Sequence, residues 1–398
     1  MLPLVMRNSL DQFKLNVMLK MRTKMAQKIE TLQFTGDTPG TSHELKIYRF
    51  GSPGASPKAY IQAALHADEH PGVMAAIHLI DQLSALDDSG KIQGEIIVIP
   101  TVNPFGLSQI FHHTHLGRYH QPTGQNYNRG WPNLTVGLEE AVQSGLCNDP
   151  KTNIKIIRKA IGQRIAHLPE TSAMDKWKKT LLNLSYDADI VLDLHCDDPS
   201  LVHLFIMPQL IPHWEDLAAW IGAHATLMAE DSGGGSFDEV FPTPWVYLQR
   251  KFPNHPIPIA TGSATVELRG RSDVSDAQGE KDAGHIVGFL HGRGFVSGVP
   301  NKAPRLIKKP SQLTAMAYVR MERTGLVSYR VKVGDEVSSG QHIADLISLD
   351  SAPYERVPIA SPIDGQILST NSQKYVRPGD SIAKVVGQKT LSNKGPYL

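Results

Sequence analysis

The feature that most constrains the fold is an alternation of short apolar runs with helical segments. Buried strands are predicted for runs that end at polar or turn residues: LKIYRF (45–50), AYIQAALHA (59–67), GEIIVIPTVNP (94–104), DADIVLDLH (187–195), HLFIMP (203–208) and GSATVELRG (262–270). Helices are predicted for VMAAIHLIDQLSAL (73–86), residues 151–185, WEDLAAWIGAHATLMAED (214–231) and residues 276–293. Because strands joined through helices pair largely in parallel, the sequence predicts an α/β fold with a mixed, largely parallel sheet and helices on both faces.

The sequence changes character near residue 300. Residues 301–311 are rich in proline and lysine and predict a linker, whereas residues 312–398 contain short β-branched runs separated by glycine turns. Within the latter, RTGLVSYRVKVGDEV is echoed by IDGQILSTNSQKYVRPGDSI. We therefore predict a small C-terminal all-β domain with a barrel-like form, after a large domain over residues 29–300 and an N-terminal extension over residues 1–28.

Composition excludes several classes of protein. The 398 residues carry 40 Lys and Arg against 39 Asp and Glu, a net charge of +1 that predicts neither a nucleic-acid partner nor an anionic membrane surface. Apolar runs fall far short of the ~20 residues needed to span a bilayer. Two cysteines, Cys147 and Cys196, provide no disulfide framework, which fits a reducing, cytoplasmic location. The expected partner is a small molecule, and a homo-oligomer remains open.

The most informative local motif is HADEHPG at residues 66–72, directly after a predicted strand. His66 and Glu69 are three residues apart at a strand-to-helix corner, where both can turn onto one divalent metal ion. A histidine satisfied at a helix start is the alternative. The same residues also match the zinc-binding pattern His-x-x-Glu-His. That pattern requires its ligands on one continuous helix, which Pro71 and Gly72 would interrupt.

Two further candidates stand at the ends of predicted strands. His195 ends a buried strand, where ligands gather in open α/β sheets, and Asp193 lies on the same face, placed to orient its imidazole. Glu267 follows a largely apolar run and is costly to bury without a role. Its alternative is a plain strand pair with Arg269.

Polar loops supply the remaining candidates. Asn128 and Arg129, with Arg118 ten residues earlier, can bind a carboxylate through forked hydrogen bonds, or they form a solvated loop. The histidines at 112, 113, 115 and 120 are expected to be solvated or to line the substrate site rather than to form a second metal site. KWKK (176–179) is expected to be a charged helix face. Cys196 is expected to pack as a small hydrophobic residue rather than to act as a thiol nucleophile.

Taken in order, these motifs resemble the succinylglutamate desuccinylase/aspartoacylase family of the zinc carboxypeptidase-like superfamily. The matching segments are HADEHPG (66–72), NPFG (103–106), NYNRGWP (126–132), VLDLH (191–195) and TVELRG (265–270). The resemblance extends over roughly residues 40–388, and it implies a zinc carboxypeptidase-like catalytic domain over residues 29–300.

The resemblance also implies a role for each residue. One Zn²⁺ per chain would be held by His66, Glu69 and His195, with Glu267 as the general base. Asn128 and Arg129 would hold the substrate carboxylate, and Arg118 would polarise the scissile carbonyl. Arg269 departs from members that carry a small residue there, and would add an anion contact or narrow the pocket.

The expected activity is zinc-dependent hydrolysis of the amide bond of a small N-acyl amino acid. A metallocarboxypeptidase acting on short or cell-wall peptides, and a non-catalytic zinc- or ligand-binding protein, remain alternatives. The C-terminal domain resembles a biotinyl/lipoyl hammerhead barrel. The stretch at residues 347–362 has no lysine, so we expect no biotin or lipoate.

Overall fold

The computed structural model describes residues 29–211 and 213–391, so the predicted extension over residues 1–28 lies outside the described residues. The strands are β1 (Ile29–Thr35), β2 (Ser42–Gly51), β3 (Lys58–Ala63), β4 (Glu95–Ile99), β5 (Ile110–Phe111), β6 (Thr114–His115), β7 (Ile190–Asp197), β8 (His203–Ile206), β9 (Ala225–Met228), β10 (Gly262–Gly270), β11 (Ser311–Gln312), β12 (Met316–Arg320), β13 (Gly325–Tyr329), β14 (Glu336–Val337), β15 (His342–Ile347), β16 (Arg356–Ala360), β17 (Gly365–Thr370), β18 (Tyr375–Val376) and β19 (Ser381–Val386). The α-helices are α1 (Pro71–Asp88), α2 (Pro104–Leu107), α3 (Leu138–Val142), α4 (Pro150–Ala166), α5 (Ala173–Ser185), α6 (Glu215–Ile221), α7 (Thr243–Lys251) and α8 (Asp276–Gly292). Short 3₁₀ helices are formed by Pro208–Leu210, Asp238–Val240 and Leu313–Ala315.

A large mixed sheet organises the chain. Within the described residues it has nine strands in the order β1-β2-β4-β3-β7-β10-β8-β9-β11. The central neighbours β4, β3, β7 and β10 run parallel, whereas β1, β2 and the β10–β8 pair are antiparallel. The predicted α/β class with a largely parallel sheet is confirmed.

Alternating side chains along the central strands build a core on each face of this sheet. On β7, Ile190, Leu192 and Leu194 pack in a cluster with residues of α1 and α8, whereas Val191 packs in a second cluster with residues of α4 and α5. Successive side chains of a strand point to opposite faces of the sheet, so a strand that is apolar on both faces needs a helical layer on each side. Asp193 and His195 follow Val191 at two-residue steps, so they belong to the α4 and α5 face.

One predicted element is wrong in its second half. The segment 214–231 was expected to be a single helix, but it divides into α6 and strand β9. Gly222 adopts φ 68°, a left-handed conformation that ends α6. The following ATLM instead pairs in parallel with β8, where Ala225, Thr226 and Leu227 are buried.

The C-terminal strands form two further sheets. In the described part of the chain these are four-stranded and antiparallel, with the orders β12-β19-β17-β14 and β16-β15-β13-β18. Their shared core contains Val327, Ile343, Ile367 and Val385. β11 pairs with β9, so the large sheet continues to the first residues of the predicted β-domain. The barrel-like form of this domain stays a prediction.

Candidate metal centre and its cavity

Three side chains from two motifs converge at the carboxyl ends of β3 and β7. His66 Nδ1 lies 2.9 Å from Glu69 Oε1, and His195 Nδ1 lies 2.8 Å from Glu69 Oε2. All three residues are buried, and their candidate ligand atoms lie within 4.8 Å of one another. Imidazole nitrogens and a carboxylate oxygen at this spacing form a group that could hold a metal ion.

Local sequence explains how His66 reaches this position. β3 ends at Ala63, four residues before the end of the predicted strand, and Ala64 adopts φ 59°. The Asn103 side chain donates to Leu65 O at 2.8 Å and accepts from Gly106 N at 2.9 Å. The NPFG motif therefore fixes the turn that carries His66.

The outer nitrogens of both histidines are also held. His195 Nε2 lies 2.9 Å from Asp193 Oδ2, and His66 Nε2 lies 2.8 Å from Asn126 Oδ1. Since these oxygens accept, each Nε2 carries a proton, so the Nδ1 of each ring, when that ring is neutral, offers its lone pair on the side of Glu69. Two lone pairs and a carboxylate facing one point fit a divalent cation such as Zn²⁺. Asn126 was not predicted.

The electrostatics of the cluster follow from burial and close charges. Burial alone would raise the pKa of Glu69, but His66 and His195 hold it well below its ordinary value. Burial lowers the pKa of His66. Burial would also lower the pKa of His195, yet the charges of Asp193 and Glu69 raise it well above its ordinary value. Glu69 is thus a carboxylate, the form that binds a metal ion.

Arg118 reaches the edge of the cluster from the long loop. Its Nη1 donates to Glu69 Oε1 at 3.1 Å. The preceding Gly117 makes this approach feasible, because a Cβ there would lie 2.2 Å from Asp68 N. The backbone is fixed by Ala67 N donating to Gly117 O at 3.0 Å. Arg118 is therefore close enough to act on a group bound at the cluster.

Glu267 faces the cluster from the neighbouring strand. β10 runs parallel to β7 with Glu267 opposite His195. Burial, followed by the negative charge of Glu69, raises the pKa of Glu267 to about 8. Its Oε2 is buried with no hydrogen-bond partner among the described residues. The cluster and Glu267 line one cavity of about 120 Å³.

Asn128 and Arg129 line the same cavity, and buried contacts hold their loop. Asn128 Oδ1 accepts from Phe237 N at 2.8 Å. Lys178 Nζ donates to Arg129 O at 3.0 Å and to Gly130 O at 3.1 Å. The expectation that KWKK is a charged helix face is wrong for Lys178, which is buried because its ammonium satisfies two loop carbonyls.

The structure does not bring Arg269 to the cavity. Its Nη1 and Nη2 contact Asp282 of α8 at 3.1 and 2.5 Å. Alternation along β10 would place Arg269 beside Glu267, but the register shifts between Glu267 and Gly270 and Arg269 adopts φ 64°. The predicted substrate contact of Arg269 is therefore replaced by a forked ion pair on the α8 face.

The other histidines lie apart from the cluster. His70 precedes the first residue of α1 and stacks on His115, with ring centroids 5.5 Å apart, so no continuous helix carries His-x-x-Glu-His. His112 and His113 adopt positive φ in the β5–β6 hairpin. Across residues 29–211 and 213–391, the cluster already described is the only group of three or more His, Cys, Asp or Glu residues close enough together to hold a metal ion.

Two cavity residues come from places that sequence reasoning did not consider. Asp238 belongs to a 3₁₀ helix, and Lys384 lies on β19 of the C-terminal sheets. Neither belongs to a recognisable motif, so the sequence carried no signal for them. Cys196 also lines the cavity, buried as predicted, and burial strongly raises the pKa of its thiol.

Comparison with known proteins finds similarity to one catalytic-domain family. A profile of the succinylglutamate desuccinylase/aspartoacylase catalytic domain matches residues 55–153. The N-alpha-acetyl-L-2,4-diaminobutyric acid deacetylase of Halomonas elongata is 26% identical over 347 residues, covering 83% of this chain and 82% of the relative. The chain is therefore similar to the succinylglutamate desuccinylase/aspartoacylase family.

Solved structures of the family share the fold. A succinylglutamate desuccinylase/aspartoacylase family protein from Shewanella amazonensis is 25% identical, with a TM-score of 0.77 over 90% of this chain and 98% of that one. A candidate family member from Shewanella frigidimarina is 23% identical, with a TM-score of 0.78 over 90% and 97%. Among the described residues, no helix has the length and apolarity to cross a bilayer.

Proposed function

We propose that this chain is a zinc-dependent hydrolase that cleaves the amide bond of a small N-acyl amino acid or related carboxylate-bearing substrate. The observation that carries the proposal is the pair of Nδ1 atoms of His66 and His195 facing the Glu69 carboxylate, with Glu267 on the adjoining strand. The Halomonas elongata relative, named as a deacetylase of an N-acetyl amino acid, supports the same reaction class.

One zinc ion per chain would be held by His66, Glu69 and His195. When bound, such an ion supplies Lewis acidity, which polarises an amide carbonyl and favours deprotonation of water. It also adds positive charge beside Glu267, which lowers the pKa of that carboxyl toward a working base.

Each side chain around this centre has a proposed role in proton transfer, charge stabilisation or substrate binding. Glu267 takes the proton of the attacking water on a carboxylate oxygen and returns it to the leaving amine. Arg118 donates to the carbonyl oxygen as negative charge develops there. Asn128 and Arg129 hold the free carboxylate, which fixes the scissile bond beside Glu267. Asp193 keeps the His195 imidazole oriented.

The chain organisation fits this chemistry. Residues 29–300 would form the zinc carboxypeptidase-like catalytic domain and residues 301–311 a linker. Residues 312–398 would form the β-domain, which contributes Lys384 to the cavity wall. No biotin or lipoate is part of the proposal, and the partner is a small molecule with a free carboxylate.

The test combines metal analysis with a substrate panel. The purified full-length chain should contain one zinc ion and release amino acid from N-acetyl and N-succinyl amino acids, with loss of both zinc and turnover after chelation. Faster cleavage of short peptides with a free carboxylate would assign it as a carboxypeptidase. Bound zinc without turnover on either group would leave a binding protein and overturn the proposal.

A further inference from the structure

One carboxylate of the cavity stands apart from the proposed chemistry. Asp238 is 8% exposed and lies in the 3₁₀ helix Asp238–Val240, which packs against β7 and β10. Its side chain lines the cavity that contains the candidate metal centre. None of the roles proposed above uses it.

Asp238 differs from the two aspartates of β7 that lie near it in having no ion-pair partner. Asp193 contacts His195, and Asp197 contacts Lys384. Asp238 Oδ1 accepts only from Ser236 Oγ, at 2.7 Å. Asp238 forms no ion pair with any Lys, Arg or His nitrogen of the residues that the structure describes.

An unpaired carboxylate at this burial is costly. Burial, followed by the negative charge of Glu239, raises the pKa of Asp238 to about 6. The carboxylate therefore ionises close to neutral pH with no ion pair to offset its burial. A cation that entered the cavity would form the ion pair that Asp238 lacks in the folded chain.

The position of Asp238 relative to the proposed carboxylate anchor defines what that cation would be. Phe237 N donates to Asn128 Oδ1 at 2.8 Å, so the residue before Asp238 is tied to the anchor. Ser263 Oγ donates to the Asp238 carbonyl at 2.5 Å. Ser263 lies on the same face of β10 as Glu267, four residues or about 13 Å along the strand. Asn128, Arg129 and Asp238 therefore line the same cavity as Ser263 and Glu267.

We infer that Asp238 is the counter-ion for a positively charged amino group on the substrate side chain. The substrate class is then N-acyl amino acids with basic side chains, held by the carboxylate at Asn128 and Arg129 and by the amino group at Asp238. This inference rests on the proposed hydrolase activity and names its substrate class.

The experiment compares basic substrates with neutral substrates of the same length on the zinc-loaded full-length chain. Nα-acetyl-2,4-diaminobutyrate is paired with Nα-acetylnorvaline, and Nα-acetylornithine with Nα-acetylnorleucine. The basic member of at least one pair should have the higher kcat/KM. Asp238→Asn keeps an acceptor for Ser236 and should lower kcat/KM for that basic substrate about tenfold to hundredfold, with little change for its neutral partner.

Asp231→Asn is the matched control. Asp231 is an exposed acid that precedes the same 3₁₀ helix, and an Asn side chain can still accept from Gly233 N, as Asp231 does at 2.8 Å. Its removal lowers the local negative charge equally and should leave the preference intact. The inference would be overturned if Asp238→Asn lowered kcat/KM equally for both members of a pair. It would also be overturned if the wild type preferred substrates with neutral or acidic side chains. Either result would leave the proposed hydrolase activity in place. No turnover on any acyl amino acid would instead refute the proposed function.

Discussion

Lys384 of β19 forms an ion pair with Asp197, the last residue of β7, across the border between the C-terminal sheets and the large sheet. Burial would lower the pKa of Lys384, but the charge of Asp197 raises it above its ordinary value. Both residues line the cavity beside Glu267. This partly buried ion pair therefore couples the C-terminal sheets to the candidate site.

Lys384→Met should destabilise the chain by about 2 kcal/mol, because it leaves the Asp197 carboxylate unpaired. We set this below the cost of a fully buried pair because the two side chains are 22% and 15% exposed. Adding Asp197→Asn should recover part of the loss. Urea unfolding of both variants measures the effect, with the exposed Lys332→Met as control. Equal stability of Lys384→Met and wild type would contradict a coupling through this pair.

Glu267→Gln should retain zinc but reduce kcat by about 10² to 10⁴, because the amide cannot take up the proton of the attacking water. Zinc content and kcat are measured on the same preparation. Glu267→Asp keeps a carboxylate one methylene shorter and should retain more activity than Glu267→Gln. Near-normal turnover by Glu267→Gln with full zinc would remove Glu267 from the proposed chemistry.

Asn126→Leu should weaken zinc binding about 10- to 100-fold, because His66 Nε2 loses the oxygen that fixes its tautomer. Competition with a chelator of known affinity measures this change. His120→Gln, in the same loop, is the control, since the His120 ring contacts Thr123 rather than the cluster. Unchanged zinc affinity in Asn126→Leu would show that His66 needs no such support.

Lys178→Met should raise KM more than it lowers kcat, because the carbonyls of Arg129 and Gly130 lose the ammonium that holds the anchor loop. A KM increase of about 10-fold corresponds to losing one charged hydrogen bond. Lys176→Met alters an exposed lysine of the same run and should leave both constants unchanged. Equal effects of the two substitutions would argue against a specific role for Lys178.

His203 should make the folded state sensitive to mild acid. It is fully buried, and burial lowers its pKa from 6.5 to about 4. Between these values the unfolded chain binds a proton that the folded chain excludes, so stability falls as pH drops below 6.5. At pH 5 the contribution is about 2 kcal/mol. Wild type should therefore lose more unfolding free energy between pH 7 and pH 5 than His203→Phe does, measured in urea. Parallel losses would refute this assignment.

Much of the large sheet could be predicted because strand and helix periodicity is local. Residues 262–270 were predicted as a strand, and β10 spans the same residues. The helix–strand division of 214–231 was missed, because its apolar residues satisfy a helical pattern until the left-handed Gly222 interrupts it. Only packing against β8 shows that the second half is a strand.

The sequence by itself determined the order of the motifs and the residue types at the candidate metal cluster, because His66, Glu69 and His195 stand at or just after predicted strand ends. The tertiary structure decided which other groups face that cluster. It turned Arg269 toward α8 and added Asp238 to the cavity wall. The physical reason is that a side chain's direction and the pairing of its charge depend on neighbours distant in the chain, which strand and helix periodicity does not record.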